Sequence, residues 1–288
     1  MTRALLIRNP AAGGRTARQG DLERCEAVLR DAGFTLERAE TAADSPSAAD
    51  LARRCIEQRY DACIVAGGDG TVALAARQLL GTPVVLGILP FGSFMNIANG
   101  LGIPLEPLKA AAVIAERKVR MADAGEVHGK VFFETAGVGL DAELFGAARH
   151  VERGDWRRAL RRVTRWATHR TYRMTVTVDG EAHQHRAMQA LVLNSPYYAW
   201  AIELLPHASM TDGKLDLAVF PRMGRRALIR SLIGLWRGTR IDHPVVYSGS
   251  RIAITSTAAL AVHADGELAG GLPAEFVCRK GALSVYGP

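Results

Sequence analysis

The chain has 288 residues, of which 48% are hydrophobic and 23% charged, and a formal net charge of +7. That length exceeds one comfortable hydrophobic core, so two domains, or one large α/β domain with an insertion, are expected, and the composition excludes bulk disorder. The basic balance points to an acidic partner such as nucleic acid, anionic lipid or a polyphosphate, and charge alone does not choose.

Residues 3–8 (RALLIR) read as a short buried strand running into the turn-rich NPAAGG. Arg8, Asn9 and Pro10 arrive too soon for a secretory signal. Apolar residues Leu22, Cys25, Leu29 and Ala32 recur at helical spacing before Gly33, where a helix C-cap belongs, and residues 34–38 then read as a second strand. Ser47 with Asp50 resembles a capping box for a helix through Leu51, Cys55 and Ile56. A third buried strand at 62–66, a helix at 71–80, a strand at 84–89 and a helix at 108–116 continue the alternation, which predicts a parallel sheet with helices on its faces.

Beyond residues 120–124 the pattern changes to strands at 130–139, 173–179, 188–194, 215–220 and 251–255, a second and mostly β domain. The most apolar stretch, 83–105, is interrupted by prolines and glycines and does not read as a membrane span, so a cytoplasmic protein is expected. Cys25, Cys55, Cys63 and Cys278 form no CxxC pair and indicate neither zinc nor a disulfide framework.

GGDGTV, residues 67–72, falls between the third strand and a helix. Consecutive glycines let backbone N–H groups approach phosphate oxygens, and the following helix N-terminus favours negative charge. Asp69 would repel a bare phosphate, which suits it to a magnesium ion or a water that offsets nucleotide charge. The same residues also describe a plain strand-to-helix turn with an acid serving the helix dipole, and the segment taken singly does not decide. Two more glycine-bearing turns follow strands one and four: Asn9 and Pro10 with Gly13 and Gly14, and Pro90 with Gly92 and Ser93. Ligands of an open parallel sheet sit beyond the carboxyl ends of its strands, so these turns are expected to converge. Neither GxxxxGK[ST] nor a GxGxxG after strand one is present.

With these segments in place the sequence resembles the diacylglycerol kinase catalytic-domain superfamily, in particular the bacterial lipid kinases related to diacylglycerol and sphingosine kinases. The likeness spans nearly the whole chain. It rests on NPAAGG at 9–14, Thr41 after strand two, GGDGTV at 67–72, LGILPFGSFMNIANGLGIP at 86–104, GVGLDAE at 137–143, TDGKLDL at 211–217 and ADGE at 264–267. The resemblance implies an ATP-dependent lipid kinase of two domains with the active site between them. Residues 1–121 would form a parallel-sheet nucleotide-binding α/β domain similar to NAD kinase and phosphofructokinase. Residues 122–288 would form a mostly β, sandwich-like lipid-substrate domain, with a return of the last residues to the first domain left open.

Carried over by motif, Asn9, Thr41, Gly67, Gly68, Asp69, Gly70, Thr71, Val72, Ala73, Gly92 and Ser93 would bind ATP, with Asp69 also ordering Mg2+. Glu267, or Asp265, would take the acceptor hydroxyl's proton. Asp212, with backbone carbonyls of Ser209 and Lys214, resembles a structural magnesium site. Taken singly, Asp265 and Glu267 read as a solvated DG turn, Asp212 and Gly213 as another, and Asp216 as an exposed strand residue. One departure stands out: where many relatives have GTxND, this chain has Met95 and Asn96 at the Asn and Asp positions, which removes a carboxylate.

Residues 149–173 place arginines around Trp156, Leu160, Val163 and Trp166 at helical spacing, and 222–240 repeat the theme around Leu228, Leu232, Ile233 and Trp236. Such helices suit peripheral docking on an anionic membrane, and equally suit packing on the β domain with arginines in water. No nucleic-acid motif is visible, so nucleic acid is not expected as a partner. The leading expectation is transfer of the ATP γ-phosphate to diacylglycerol, a sphingoid base or a related lipid alcohol. Its rivals are a soluble, NAD-kinase-like enzyme and a non-catalytic membrane-associated nucleotide or lipid binder. A homodimer through an exposed edge strand stays open, with no strand assigned.

Overall fold

A computed structural model describes residues 1–12, 20–42, 45–139, 171–198, 201–221 and 244–288. Gly13, Gly14, residues 140–143 of GVGLDAE and nearly all of both arginine-rich stretches lie outside the described residues. The chain divides into two compact units, Met1–Ala124 with Lys280–Pro288, and Gly125–Arg279.

The first unit carries β1 (Thr2–Arg8), α1 (Asp21–Asp31), β2 (Phe34–Glu40), α2 (Ala48–Glu57), β3 (Ala62–Gly67), α3 (Asp69–Leu79), β4 (Val85–Pro90), α4 (Asn96–Gly100) and α5 (Pro107–Ala115). The strands pair in parallel in the order β2, β1, β3, β4. Every residue of β3 is buried, as a parallel strand covered on both faces must be. Gly33 ends α1 with a φ of 82°, a left-handed conformation that glycine adopts freely. The buried Glu26 on α1 pairs with Arg30 one turn on and with Arg38 on β2, fastening helix to sheet.

The capping box read from the sequence forms at α2. Ser47 Oγ accepts from Asp50 N at 3.2 Å, and Asp50 Oδ2 accepts from Ser47 N at 2.8 Å. Ser47→Ala deletes the first acceptor and is expected to lower stability by about 1 kcal/mol, as a denaturant melt would read. Residues 280–288 complete this unit: Val285 lies opposite Leu86 of β4, and the Tyr286 ring meets Phe34 edge-on at 6.0 Å.

β5 (Val119–Val127) leads out of the first unit. The second unit continues with β6 (Lys130–Phe132), β7 (Thr135–Gly139), β8 (Tyr172–Val178), β9 (Glu181–Leu193), β10 (Tyr197–Tyr198), β11 (Ile202–Glu203), β12 (Leu215–Pro221), β13 (Val245–Gly249), β14 (Arg251–Ser256), β15 (Ala261–Ala264), β16 (Glu267–Gly271) and β17 (Ala274–Tyr286), the last running back into the first unit. Its strands run β16, β15, β7, β9, β8, β14, β17, and β12 pairs with both β9 and β13. These pairings are antiparallel. Phe132, Val176, Val192, Leu217, Ile254 and Phe276 form the centre of the core. Three two-residue hairpin turns, His128–Gly129, Asp179–Gly180 and Asp265–Gly266, have positive φ at both positions, the conformation that matches the twist of paired strands.

The fold is therefore the expected mixture of a parallel-sheet α/β part and a β-rich part. Three local expectations change. Residues 130–139 form two strands, because the amides of Phe133, Glu134 and Thr135 turn aside to the Asp265 carboxylate. β9 starts well before residue 188, since its first half is polar and largely exposed and carries no hydrophobic signature. Asp216 is buried, at 9% exposure, on β12 with Ser248 opposite, and burial pushes its carboxyl up from the usual carboxylate range.

Candidate active site

β3 delivers Gly67 to the carboxyl edge of the parallel sheet, and α3 begins two residues later. The N-cap is Gly68, which supplies no side-chain hydrogen bond to the first amides of α3. The N-cap residue thus brings no side-chain oxygen of its own to the positive end of the helix dipole, an arrangement that suits an anion.

The glycines are fixed by close approach. A Cβ on Gly67 would lie 2.9 Å from Thr71 Cβ, and one on Gly92 would lie 2.4 Å from Gly68 Cα and 2.7 Å from Met95 Sδ. The loops after β3 and β4 thus touch backbone to backbone. Among the described residues, a Cβ on Gly70 would meet nothing within 4 Å.

Hydrogen bonds join the three turns that the sequence expected to converge. Asn9 Nδ2 donates to Thr71 Oγ1 at 2.8 Å, while Asn9 Oδ1 accepts from Ala11 N at 3.0 Å. Asp69 Oδ1 accepts from Ile97 N at 3.0 Å, tying α3 to α4, and Gly67 O accepts from Phe91 N at 3.1 Å. Thr41 N donates to Arg8 O at 2.9 Å beside the same sheet edge, and Ser93 is exposed on the β4 loop. Val72 and Ala73 are buried in α3, and the Val72 amide already bonds to Gly68 O, so these two contribute packing.

Met95 is 2% exposed and sits at φ 54°, ψ 44°, a left-handed conformation that Gly and Asn accept far more readily than Met. An Asn at position 95 suits this backbone directly. Asn96, 3% exposed, opens α4 and brings no charge to the Asp69 loop. Among the buried acids that escaped the sequence reading is Asp123 on β5, 1% exposed, which accepts from Gly281 N at 2.7 Å. Its only signal was a carboxylate between two buried alanines, Ala122 and Ala124.

In the second unit the ADGE segment is the β15–β16 hairpin. Asp265 Oδ2 accepts from Phe133 N at 3.0 Å, and Oδ1 accepts from Glu134 N at 3.0 Å and Thr135 N at 3.3 Å. Asn194 Nδ2 holds the same segment from its carbonyl side, donating to Phe133 O at 3.0 Å. Glu267 opens β16 and is exposed. The other DG hairpin behaves alike: Asp179 accepts from the amides of Ser250 and Arg251, and those bonds hold its carboxyl below the usual range. An aspartate at the first position of such a turn fastens a neighbouring loop, and the residue after the glycine carries the exposed group.

Asp212 Oδ1 accepts from Lys214 N at 2.9 Å, and Ser209 Oγ accepts from Thr211 N at 3.2 Å, so the proposed metal segment is a tight turn leading into β12. Among the described residues no three His, Cys, Asp or Glu side chains gather as a metal-binding group.

Comparison with known proteins bears on the chain from both units. Residues 3–127 match the family model of the diacylglycerol kinase catalytic domain, and residues 135–287 match the YegS C-terminal NAD kinase beta sandwich-like domain. A diacylglycerol kinase of Bacillus subtilis (strain 168) is 30% identical over 286 residues, covering 96% of this chain and 93% of that protein. One from Staphylococcus carnosus (strain TM300) is 26% identical over 297 residues, covering 99% and 95%. A crystal structure of a putative diacylglycerol kinase from Bacillus anthracis str. Sterne shares the fold, with a TM-score of 0.79 at 24% identity over 99% of this chain and 97% of that one. With both units matched and the sequence identity sustained along nearly the full length, the chain belongs to the diacylglycerol kinase family.

Proposed function

We propose that this kinase-family chain transfers the γ-phosphate of ATP to the hydroxyl of a lipid alcohol, diacylglycerol or a related molecule. The observation that carries the nucleotide half is the contact of Gly68 with Gly92 at the start of α3, where the N-cap residue has no side chain to occupy the helix amides. Phosphate oxygens accept from those amides, and the room around Gly70 admits them. Magnesium, when bound with the nucleotide, offsets phosphate charge, and Asp69 is the carboxylate this loop offers it; the Ile97 amide fixes its orientation. The Asp212 turn offers a second candidate position, where backbone carbonyls of Ser209 and Lys214 would supply the remaining oxygens.

For the transfer itself, Glu267 accepts the proton of the acceptor hydroxyl. The hydroxyl oxygen bonds to the γ-phosphorus as the bond to the bridging oxygen breaks, and ADP leaves with that electron pair. Asp265 has both oxygens engaged by backbone amides, which favours Glu267 as the base and gives Asp265 a positioning role. No described helix is long and apolar enough to cross a membrane.

The test is incubation with labelled ATP, magnesium and detergent-dispersed diacylglycerol or sphingoid base, beside NAD. Label in the lipid fraction is expected. Label in NAD would replace the lipid reading, and ATP binding without any product would favour the non-catalytic binder that the neutral Asn96 motivates.

Gly70→Ala gives a sharper reading of the loop. Alanine in the first turn of α3 is expected to raise stability by up to about 1 kcal/mol, with its methyl in open space. The Cα–Cβ bond of a helical residue tilts toward the helix N-terminus, the end at which phosphate is proposed to bind, so ATP affinity is expected to fall. Melting temperature and calorimetric affinity would move in opposite senses.

A further inference from the structure

On the second unit, β8, β9 and β14 form a cleft of about 580 Å³ that the kinase reading does not use. Its size falls within the range of small-ligand clefts, roughly 300–1,000 Å³. Strand register explains what faces it. Arg173 on β8 lies directly opposite Arg186 on β9, and Thr175 lies opposite Gln184. On β14, Thr255 lies opposite Thr175, and just beyond the end of that strand Thr257 donates its amide to Arg173 O. Side chains two apart on a strand share a face, so two arginines, three threonines and a glutamine look out from one side of the sheet.

Like charges directly opposite on an antiparallel pair repel. A neighbouring arginine on the same face shows how such charge is usually met: Arg251 pairs with Glu275 at 2.9 Å. Arg173 and Arg186 have no carboxylate partner among the described residues. The rest of the row is neutral and rich in hydroxyl and amide donors, and none of it would repel an anion.

We propose that this cleft binds a phosphate monoester. Two planar guanidinium forks match a dianionic, tetrahedral group, and the hydroxyls of Thr175, Thr255 and Thr257 with the Gln184 amide are placed to serve its remaining oxygens. The site is independent of the nucleotide loop and of any transfer reaction. A free phosphate monoester and a lipid headgroup carry the same chemistry, and the experiment separates them.

Binding is measured without ATP for the wild type, for Arg173→Gln with Arg186→Gln, and for Arg173→Lys with Arg186→Lys. All four changes are at exposed positions, and circular dichroism would verify the fold. One arm titrates glycerol 3-phosphate by calorimetry. The other sediments the protein with phosphatidylcholine vesicles containing phosphatidic acid, a monoester, or phosphatidylglycerol, a diester, at matched surface charge. Loss of about tenfold in affinity per arginine is expected in the glutamine pair. The lysine pair is expected to retain general attraction to anionic vesicles and lose preference for the monoester. Binding of glycerol 3-phosphate without vesicle preference would assign a soluble ligand, whereas preference for phosphatidic acid would assign a headgroup. Equal behaviour of wild type and glutamine pair in both arms would overturn the proposal, as would equal retention on monoester and diester vesicles without glycerol 3-phosphate binding.

Discussion

Glu267→Gln is expected to slow lipid phosphorylation by about 10²–10⁴-fold, the usual worth of a positioned base, while melting temperature and ATP affinity stay at wild-type values. The residue is exposed at the start of an edge strand, so its carboxylate contributes little to the fold. Asp265→Asn is the informative contrast. It weakens the acceptor that holds the amides of Phe133, Glu134 and Thr135, and is expected to cost about 1–3 kcal/mol of stability, read by denaturant titration. Activity would fall there too, together with stability. Wild-type turnover in Glu267→Gln would remove it as the base.

Gly92→Ala carries the other large effect. The new methyl carbon would stand 2.7 Å from Met95 Sδ, which can yield, and 2.4 Å from Gly68 Cα, which is backbone and cannot. Only separation of the two loops relieves the overlap. Overpacking of this kind costs about 1–3 kcal/mol. Because Gly68 caps α3, the helix amides shift with it, and ATP affinity is expected to drop by more than tenfold, measured by calorimetry. An alanine variant that binds ATP like wild type would show that the Gly68–Gly92 contact does not shape the nucleotide site.

The strands of the first unit were readable because each is a short apolar run bounded by turn residues, and β1 to β4 fall close to where the sequence put them. β9 and β17 were not, since long antiparallel strands with half their residues in water show weak patterns and are defined by partners far along the chain. The convergence of the Asn9, Asp69 and Gly92 turns followed from sheet logic. The role of Asp265 did not, because its acceptor bonds go to residues more than a hundred positions earlier. The Met95 exchange was visible as a departure in composition, whereas its left-handed backbone needed coordinates. Asp179 and Asp265 make the point locally: the sequence put Asp179 at the end of a strand and Asp265 in a DG turn, yet both form the same hairpin turn and clasp a neighbouring loop.

The return of residues 280–288 to the first unit has a consequence for biosynthesis. Translation delivers β1 to β4 and the glycine loops well before Leu283, Val285 and Tyr286, all buried, which are encoded almost two hundred codons after β4. Until the ribosome reaches them, the edge of β4 and the Phe34 ring lack their partners. The nascent unit therefore spends most of its synthesis with an unpaired strand edge, the condition under which chains on one polysome pair with each other. A polypeptide interrupted before residue 280 would contain every residue assigned to ATP and still lack the strand that closes their scaffold.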